Sequence, residues 1–169
     1  MSRLKNKLLA KIFTRFPFLA ELWVKKIAPW KVEGTPWSPF NKDLKDCKIA
    51  LVTTAGVHLK TQKPFDMKDP DGDPSFREIP LDTPKEDLMI THDYYDHRDA
   101  DKDMNVVFPI DRLKEMRDGG EIAEISEINF GLMGHISGRH IYTLINETSQ
   151  CIAKSLKDAK VDAVLLTPG

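Results

Sequence analysis

The sequence predicts an α/β fold, in which a mostly parallel open sheet is flanked by helices and preceded by an N-terminal amphipathic helix. A short β-favouring run at 48–54 is typical of a buried first strand. Near the C-terminus a helical pattern at 141–159 is followed by an apolar run at 161–166, the order expected of a parallel crossover. The apolar residues before position 28 recur every three or four positions, which is the period of a helix.

The composition indicates one globular unit in a reducing compartment. A chain of 169 residues with 41% hydrophobic content can bury a core of ordinary size. Cys47 and Cys151 lie far apart and lack CxxC spacing, so neither a disulfide framework nor a zinc site is indicated. No run approaches the roughly 18 apolar residues of a membrane span, and charges interrupt any signal-peptide pattern. We therefore expect a cytoplasmic protein.

The N-terminal segment differs in charge from the remainder of the chain. Residues 1–31 hold eight basic side chains and one acid, Glu21, whereas the remaining residues carry 17 basic and 25 acidic side chains, a formal charge of −8. The apolar positions of the predicted helix are Leu4, Leu8, Ile12, Phe16, Leu19, Trp23 and Ile27. Pro17 is expected to kink or split this helix. Such a helix can pack on its own domain or on a partner subunit, which we favour, or lie on an anionic membrane surface through residues 3–28.

Three regions follow from these patterns. We expect a basic amphipathic helical extension at 1–31, a linker rich in proline and glycine at 32–46, and an α/β domain at 47–169 that is incomplete at its C-terminus. Within the domain, a long irregular loop at 60–84 is interrupted by a short strand at 76–79.

Further elements are predicted in the second half of the domain. A second short strand is predicted at 87–91, and a helix at 110–118 is stopped by two glycines. Another strand at 128–134 leads into a turn that contains glycines.

The densest polar cluster lies at 91–103, directly after a predicted strand. It contains two histidines and five aspartates, enough for a metal site or for acid–base chemistry. The spacing of His92 and His97 is not diagnostic of either. A solvated loop whose aspartates cap turns is equally consistent with the sequence. His135, in a glycine-containing turn, is either a pocket residue or a hydrogen-bonded structural histidine. The basic residues outside the N-terminal helix are interspersed with acids, so no nucleic-acid partner is expected.

Six segments, in order along the chain, resemble a known family. They are residues 52–58, 76–80, 91–103, 107–113, 131–135 and 161–169. These segments are similar to the selenoprotein B subunits of glycine, sarcosine, betaine and D-proline reductases. The resemblance covers roughly residues 36–169 and leaves out the basic helix.

The resemblance implies an oxidoreductase subunit, or an N-terminal fragment of one, that cleaves a C–N bond reductively with electrons from a dithiol. In that family a selenocysteine or cysteine follows the glycine that matches Gly169. The resemblance therefore implies that the catalytic redox residue is absent, that the chain is truncated at that codon, and that the chain alone is inactive. A pyruvoyl group is implied on a partner subunit where the substrate is an amino acid, and no cofactor within this chain. Implied partners are other reductase subunits and a thioredoxin-like thiol reductant, and homo-oligomerisation is left open.

The polar groups that follow the first, second and last strands are expected to converge, because ligands of open parallel sheets bind beyond the carboxyl ends of the strands. The substrate-binding candidates are Thr54, His58, His92, Asp93, Tyr95, His97, His135, Thr167 and Gly169. Imidazoles in such a pocket can keep a nucleophile deprotonated or protonate a leaving amine. No metal ligand set is predicted. Two rival interpretations are a metal-dependent hydrolase that uses the cluster at 92–103 and a non-catalytic assembly subunit that docks through its basic helix.

Overall fold

The computed structural model describes residues 3–24, 34 and 38–169. The helices are α1 (Arg3–Arg15), α2 (Pro17–Val24), α3 (Ile110–Asp118), α4 (His140–Thr143) and α5 (Ser149–Asp158). The strands are β1 (Lys48–Thr53), β2 (Val57–Leu59), β3 (Arg77–Pro80), β4 (Leu88–Ile90), β5 (Glu124–Ile125), β6 (Ile128–Gly131) and β7 (Ala163–Thr167). A π-helical turn at Leu144–Thr148 joins α4 to α5.

The main sheet is built around β1. This strand pairs in parallel with β5, β6 and β7, and β3 pairs with β6 in the antiparallel sense. Five of the six residues of β1 are buried, as expected for a strand covered on both faces. The fully buried Asn129 accepts a hydrogen bond from the amide of Leu51 at 2.8 Å and donates one to the carbonyl of Ser126 at 3.1 Å. The predicted α/β class with a mostly parallel sheet is confirmed.

Helices cover both faces of the sheet. On one face, Leu51 packs in a cluster with Phe108 and with Leu113 of α3. On the other face, Val52 and Phe130 pack against Ile152 of α5. Successive residues of β1 point to opposite faces of the sheet, so that Leu51 packs in the first cluster and Val52 in the second.

One predicted strand lies outside the parallel sheet. The run predicted at 87–91 forms β4, but β4 pairs with β2 as a separate two-stranded antiparallel sheet. Gly56, at φ +76°, allows the close approach that brings β2 beside β4, because a Cβ there would lie 2.5 Å from the carbonyl oxygen of Thr91. His58 consequently lies within a strand rather than in the turn that follows β1.

The N-terminal segment contains two helices. The predicted break at Pro17 is confirmed, since α1 ends at Arg15 and α2 begins at Pro17. The predicted continuation of the helix to Ile27, and the first part of the predicted linker apart from Gly34, lie outside the described residues. In the part of the chain that the structure describes, no helix is long and apolar enough to cross a membrane.

Candidate functional site

The candidate site lies where α1 crosses the loop that follows β4. One cavity of about 340 Å³ is bounded by α1, by this loop, by the turn after β6 and by the end of the chain after β7. Its lining residues are Asn6, Leu9, Ala10, Phe13, His92, Tyr94, Tyr95, Gly134, His135 and Gly169. The structure therefore brings together four of the sequence candidates: His92, Tyr95, His135 and Gly169.

His92 is the most unusual side chain in this cavity. It is 4% exposed, and its ring makes edge-to-face contacts with Tyr94 and Tyr95 at centroid distances of 5.8 and 4.9 Å. Its Nδ1 accepts a hydrogen bond from the backbone amide of Tyr94 at 3.2 Å. Because Nδ1 is an acceptor, the proton of the neutral ring lies on Nε2.

The Nε2 atom of His92 is a buried donor without a hydrogen-bond partner among the described residues. It faces Gly134, where a Cβ would lie 3.4 Å from Nε2 and 3.0 Å from the carbonyl oxygen of Thr54. The missing side chain at Gly134 thus leaves room beside the donor. A buried donor of this kind can be satisfied by an acceptor outside the described residues, such as a water molecule or a bound ligand.

The ring of His92 is neutral at ordinary pH. Burial, together with the nearby His135 and His97, lowers its pKa from 6.5 to about 4, whereas Asp93 acts in the opposite direction. His92 is therefore a hydrogen-bond donor with a fixed tautomer, not a cation.

Two tyrosines hold His92 in place. The hydroxyl of Tyr95 donates to the carbonyl of Ala55 at 3.1 Å, and burial raises the pKa of this hydroxyl. The hydroxyl of Tyr94 is hydrogen-bonded to the side chain of Asn6 in α1. The Tyr94 ring also stacks on His135, with centroids 3.9 Å apart and an interplanar angle of 19°.

His135 is oriented by the long loop that precedes β3. Its Nε2 donates to the carbonyl of Pro70 at 3.0 Å. In the neutral ring, Nδ1 is then an acceptor. The same loop is tied to α4 through Asp69, which pairs with His140 and Arg139. Hydrogen bonds from His140 and from the backbone amide of Asp71, together with Arg139, lower the pKa of Asp69 to about 2.

Gly169, two residues after the end of β7, lies at this cavity. The amide of Thr54 donates to the carbonyl of Thr167 at 2.9 Å. The hydroxyls of Thr53 and Thr167 both donate to the carbonyl of Val107, at 2.9 and 2.7 Å. Gly169 then lies against Ala55, because a Cβ on Gly169 would be 2.2 Å from the Cα of Ala55. Thr167 therefore acts as an anchor of the strand end, and Gly169 reaches the cavity.

A second cavity, of about 330 Å³, lies on the other side of α1. Its lining residues are Leu4, Lys7, Leu8, Lys11, His92, Tyr95, Asp96, His97 and Arg98. His97 belongs to this cavity, and its Nδ1 is 2.7 Å from a carboxylate oxygen of Asp101. His92 and Tyr95 thus border both cavities.

Two other sequence candidates are engaged elsewhere. His58 is fully buried and lines neither cavity; its Nδ1 donates to the carbonyl of Leu59 at 2.7 Å, and its Nε2 contacts the Thr91 hydroxyl at 2.8 Å. Asp93 is 3% exposed and pairs with Lys7 of α1 at 3.4 Å. These contacts give His58 a role in holding β2 and Asp93 a role in holding α1.

The cluster at 91–103 does not form a metal centre within the described parts of the chain. No group of three histidine, cysteine, aspartate or glutamate side chains there is arranged to hold a metal ion. The two histidines of the cluster have different partners, since the His92 ring contacts Tyr94 and Tyr95 whereas His97 pairs with Asp101. The geometry therefore gives the hydrolase alternative no support.

Comparison with known proteins agrees with the resemblance seen in the sequence. The family described as glycine/sarcosine/betaine reductase selenoprotein B matches residues 2–169.

The chain belongs to this family.

The match of the selenoprotein B family includes α1 and α2, which the resemblance seen in the sequence left out. The D-proline reductase subunit gamma of Acetoanaerobium sticklandii is 45% identical over 133 residues, which are 79% of this chain and 53% of that protein. The glycine reductase complex component B subunit gamma of Carboxydothermus hydrogenoformans is 30% identical over 139 residues, covering 80% of this chain and 31% of that protein. The corresponding subunit of Symbiobacterium thermophilum is 29% identical over 142 residues.

This member of the selenoprotein B family spans about half the length of the first relative and about a third of the others. No solved structure matches it. The family and these relatives associate the chain with multi-subunit reductases.

Three residues of the site were not among the sequence candidates. Tyr94 belongs to the polar cluster at 91–103, but nothing in its local sequence separates it from Tyr95. Asn6 lies in a helix whose apolar stripe predicts a different contact face. The sequence predicts that Gly134 lies in a turn, and its position beside His135 is the signal for its role.

Proposed function

We propose that this chain is a subunit of a selenol- or thiol-dependent reductase that cleaves the C–N bond of a small amino acid. Membership of the selenoprotein B family supports the reaction class. D-proline is the favoured substrate, because the D-proline reductase subunit is 45% identical whereas the glycine reductase subunits are 30% and 29% identical.

The observation that carries this proposal is the unpartnered Nε2–H of His92 in the cavity that Gly169 also lines. A selenolate or thiolate placed next to Gly169 is an anionic acceptor of the kind that this donor requires. Hydrogen bonds to an ionised acceptor are stronger than neutral ones. The residues of the site therefore fit a redox group at this position.

A selenolate or thiolate held there would supply the nucleophile for cleavage of the C–N bond. An external dithiol would give up two electrons and two protons as it becomes a disulfide, so that the products carry a new C–H bond and a free amine. His92 would hold the anion through Nε2–H. Tyr95 would keep the ring of His92 in position, and Asn6 would hold Tyr94 over His135. Helix α1, which lines one side of the cavity, would limit the access of water to it.

The size of the cavity suits a small substrate. About 340 Å³ is at the lower end of the roughly 300–1,000 Å³ that small-molecule sites occupy. The Tyr94 ring stacked on His135 gives the cavity an aromatic wall against which a five-membered ring can pack. The pyruvoyl electron sink and the dithiol reductant are expected to come from partner subunits and from a thioredoxin-like protein, so the activity belongs to the assembled complex.

The test uses the complex isolated with its partner subunits from the cells that produce this chain. D-proline, L-proline and glycine are supplied separately with dithiothreitol, and products are measured by mass spectrometry. Cleavage of the Cα–N bond of D-proline is expected to yield 5-aminopentanoate. The variant His92→Phe removes the donor and should lower kcat by roughly tenfold or more, whereas His92→Gln, which keeps a donor near the Nε2 position, should retain more activity.

A matched control is His140→Gln, because His140 pairs with Asp69 and lines neither cavity. This variant should keep its kcat. The proposal is wrong if the isolated complex oxidises no dithiol with any of the three amino acids. It is also wrong in its assignment of His92 if His92→Phe and His140→Gln have the same kcat.

A further inference from the structure

The first two helices, with the residue between them, carry five exposed apolar side chains. Leu4 is 79% exposed, Leu8 58%, Phe16 49%, Phe18 57% and Leu22 55%. We call these five residues the outer stripe. Single exposed apolar side chains are ordinary, but five within two successive helices need a reason.

The outer stripe is not the face by which α1 packs on the domain. The buried residues of α1 are Asn6 and Ala10, each 6% exposed, and Lys7 pairs with Asp93 at the same contact. Leu4 and Leu8 lie away from Asn6 and Ala10 around the helix, at the spacing of one turn. Helix α1 is therefore docked through Asn6 and Ala10, while Leu4 and Leu8 remain more than half exposed at the border of the cavity of about 330 Å³.

The outer stripe is accompanied by positive charge. Helix α1 contains Arg3, Lys5, Lys7, Lys11 and Arg15 and no acidic residue. Lys11 and Arg15 continue the helical row that begins with Leu4 and Leu8. The residues after position 31 have a formal charge of −8, so the basic surface is confined to one end of the sequence.

We propose that the outer stripe binds an anionic lipid surface. Helices that lie in the headgroup region combine exposed leucine and phenylalanine with lysine and arginine, whose long stems let the charges stay in water. Protein interfaces are instead depleted of lysine. Helix α1 has three lysines and lacks carboxylates, which favours a lipid surface over a protein partner.

This binding would orient the molecule. The acidic remainder of the chain is repelled by an anionic surface, while the basic helix is attracted, so α1 would face the lipid. The opposite side of α1 lines the cavity of about 340 Å³ beside His92, whereas Leu4 and Leu8 border the cavity of about 330 Å³. A lipid surface would thereby hold α1 against the cavity of about 340 Å³. The proposal does not depend on the reductase activity.

The test measures sedimentation of the full chain with vesicles at low salt. Vesicles of phosphatidylcholine mixed with phosphatidylglycerol should bind the protein, and vesicles of phosphatidylcholine alone should not. Raising the salt concentration should weaken binding, because the attraction is screened. The double variant Leu4→Glu with Leu8→Glu should bind at least roughly tenfold more weakly, since it removes two apolar anchors.

The matched control is Tyr142→Glu with Ile145→Glu, since these side chains are 69% and 51% exposed on another helix. This control should bind like the parent chain, and urea denaturation should show that both double variants remain folded. Absence of binding to anionic vesicles would refute the proposal. An equal loss of vesicle binding in the two double variants would also refute it. Loss of a co-purifying subunit in the Leu4 and Leu8 variant, without vesicle binding by the parent, would assign the stripe to a protein partner instead.

Discussion

At the scale of single residues, the protonation of His92 should govern how stability responds to mild acid. The folded-state pKa of about 4 lies below the value of 6.5 for an unperturbed histidine, mainly because of burial. Between these values the unfolded chain binds a proton that the native state does not bind. The contribution of His92 to the free energy of unfolding is complete above pH 6.5 and is lost as the pH falls toward 4. Its size is on the order of 3 kcal/mol.

This prediction is checked by urea denaturation at pH 7 and pH 5 for the parent chain and for His92→Gln. The variant should lose less stability on acidification than the parent, even if it is less stable at pH 7. His58, whose pKa burial also lowers, remains in both proteins, so the difference isolates His92. Asp69, with a pKa of about 2, responds only at lower pH. Equal losses in the two proteins would show that His92 titrates like an exposed histidine.

His92 and His58 also show what the sequence could and could not predict about the site. Both were candidates because each follows or adjoins a predicted strand. Their roles differ because the Nδ1 of His58 donates to the Leu59 carbonyl and its Nε2 contacts Thr91, whereas Nε2 of His92 has no partner among the described residues. These contacts depend on the pairing of β2 with β4, which local sequence does not encode.

At the scale of elements, the close contact of β6 with β2 leaves no room for a side chain at Gly131. A Cβ at this position would lie 2.0 Å from the carbonyl oxygen of Val57. The variant Gly131→Ala must therefore displace backbone, and it should lower the free energy of unfolding by on the order of 3 kcal/mol. The measurement is urea denaturation at neutral pH.

The matched control for this prediction is Gly120→Ala. Gly120 has a φ of +75°, but a Cβ there meets nothing within 4 Å. Alanine at Gly120 should cost only the backbone strain, roughly 1 kcal/mol. If Gly131→Ala lowers the free energy of unfolding no more than Gly120→Ala does, β2 and β6 are not held at this separation.

The helices of the N-terminus show the limit of periodicity as a guide to packing. The repeat of Leu4, Leu8 and Phe16 correctly predicts a helix, and Pro17 correctly predicts its interruption. The repeat does not indicate the buried face, because α1 packs through Asn6 and Ala10. The hydrogen bond of Asn6 with Tyr94 and the ion pair of Lys7 with Asp93 are tertiary contacts that helical periodicity cannot reveal.

At the scale of the whole molecule, the apolar content of β1 and the order of the elements were sufficient to predict a mostly parallel sheet with helices. Which strands pair with which could not be predicted from the sequence to the same degree. Strand β4 joins β2 instead of the parallel sheet, and β3 runs antiparallel to β6. The pairing of β4 with β2 is accompanied by a close backbone approach of Gly56 to Thr91, which local sequence does not show.

The outer side of β7 is the most exposed apolar part of the main sheet. In the described ranges, β7 pairs only with β1. Its residues Val164, Leu165 and Leu166 are 38%, 39% and 71% exposed. An apolar groove of about 270 Å³ beside it is lined in part by Leu44 and Met116. A free backbone edge with apolar side chains on both faces is a surface on which other polypeptides pair.

The chain of 169 residues should therefore self-associate through β7 as its concentration rises. The variant Leu166→Lys places a charge on the exposed edge and should lower the weight-average mass measured by sedimentation velocity toward that of the monomer. It should change the free energy of unfolding little, because Leu166 is 71% exposed. Tyr142→Lys, at a side chain that is 69% exposed on α4, should leave association unchanged. If both variants associate like the parent chain, contacts other than the β7 edge drive the association.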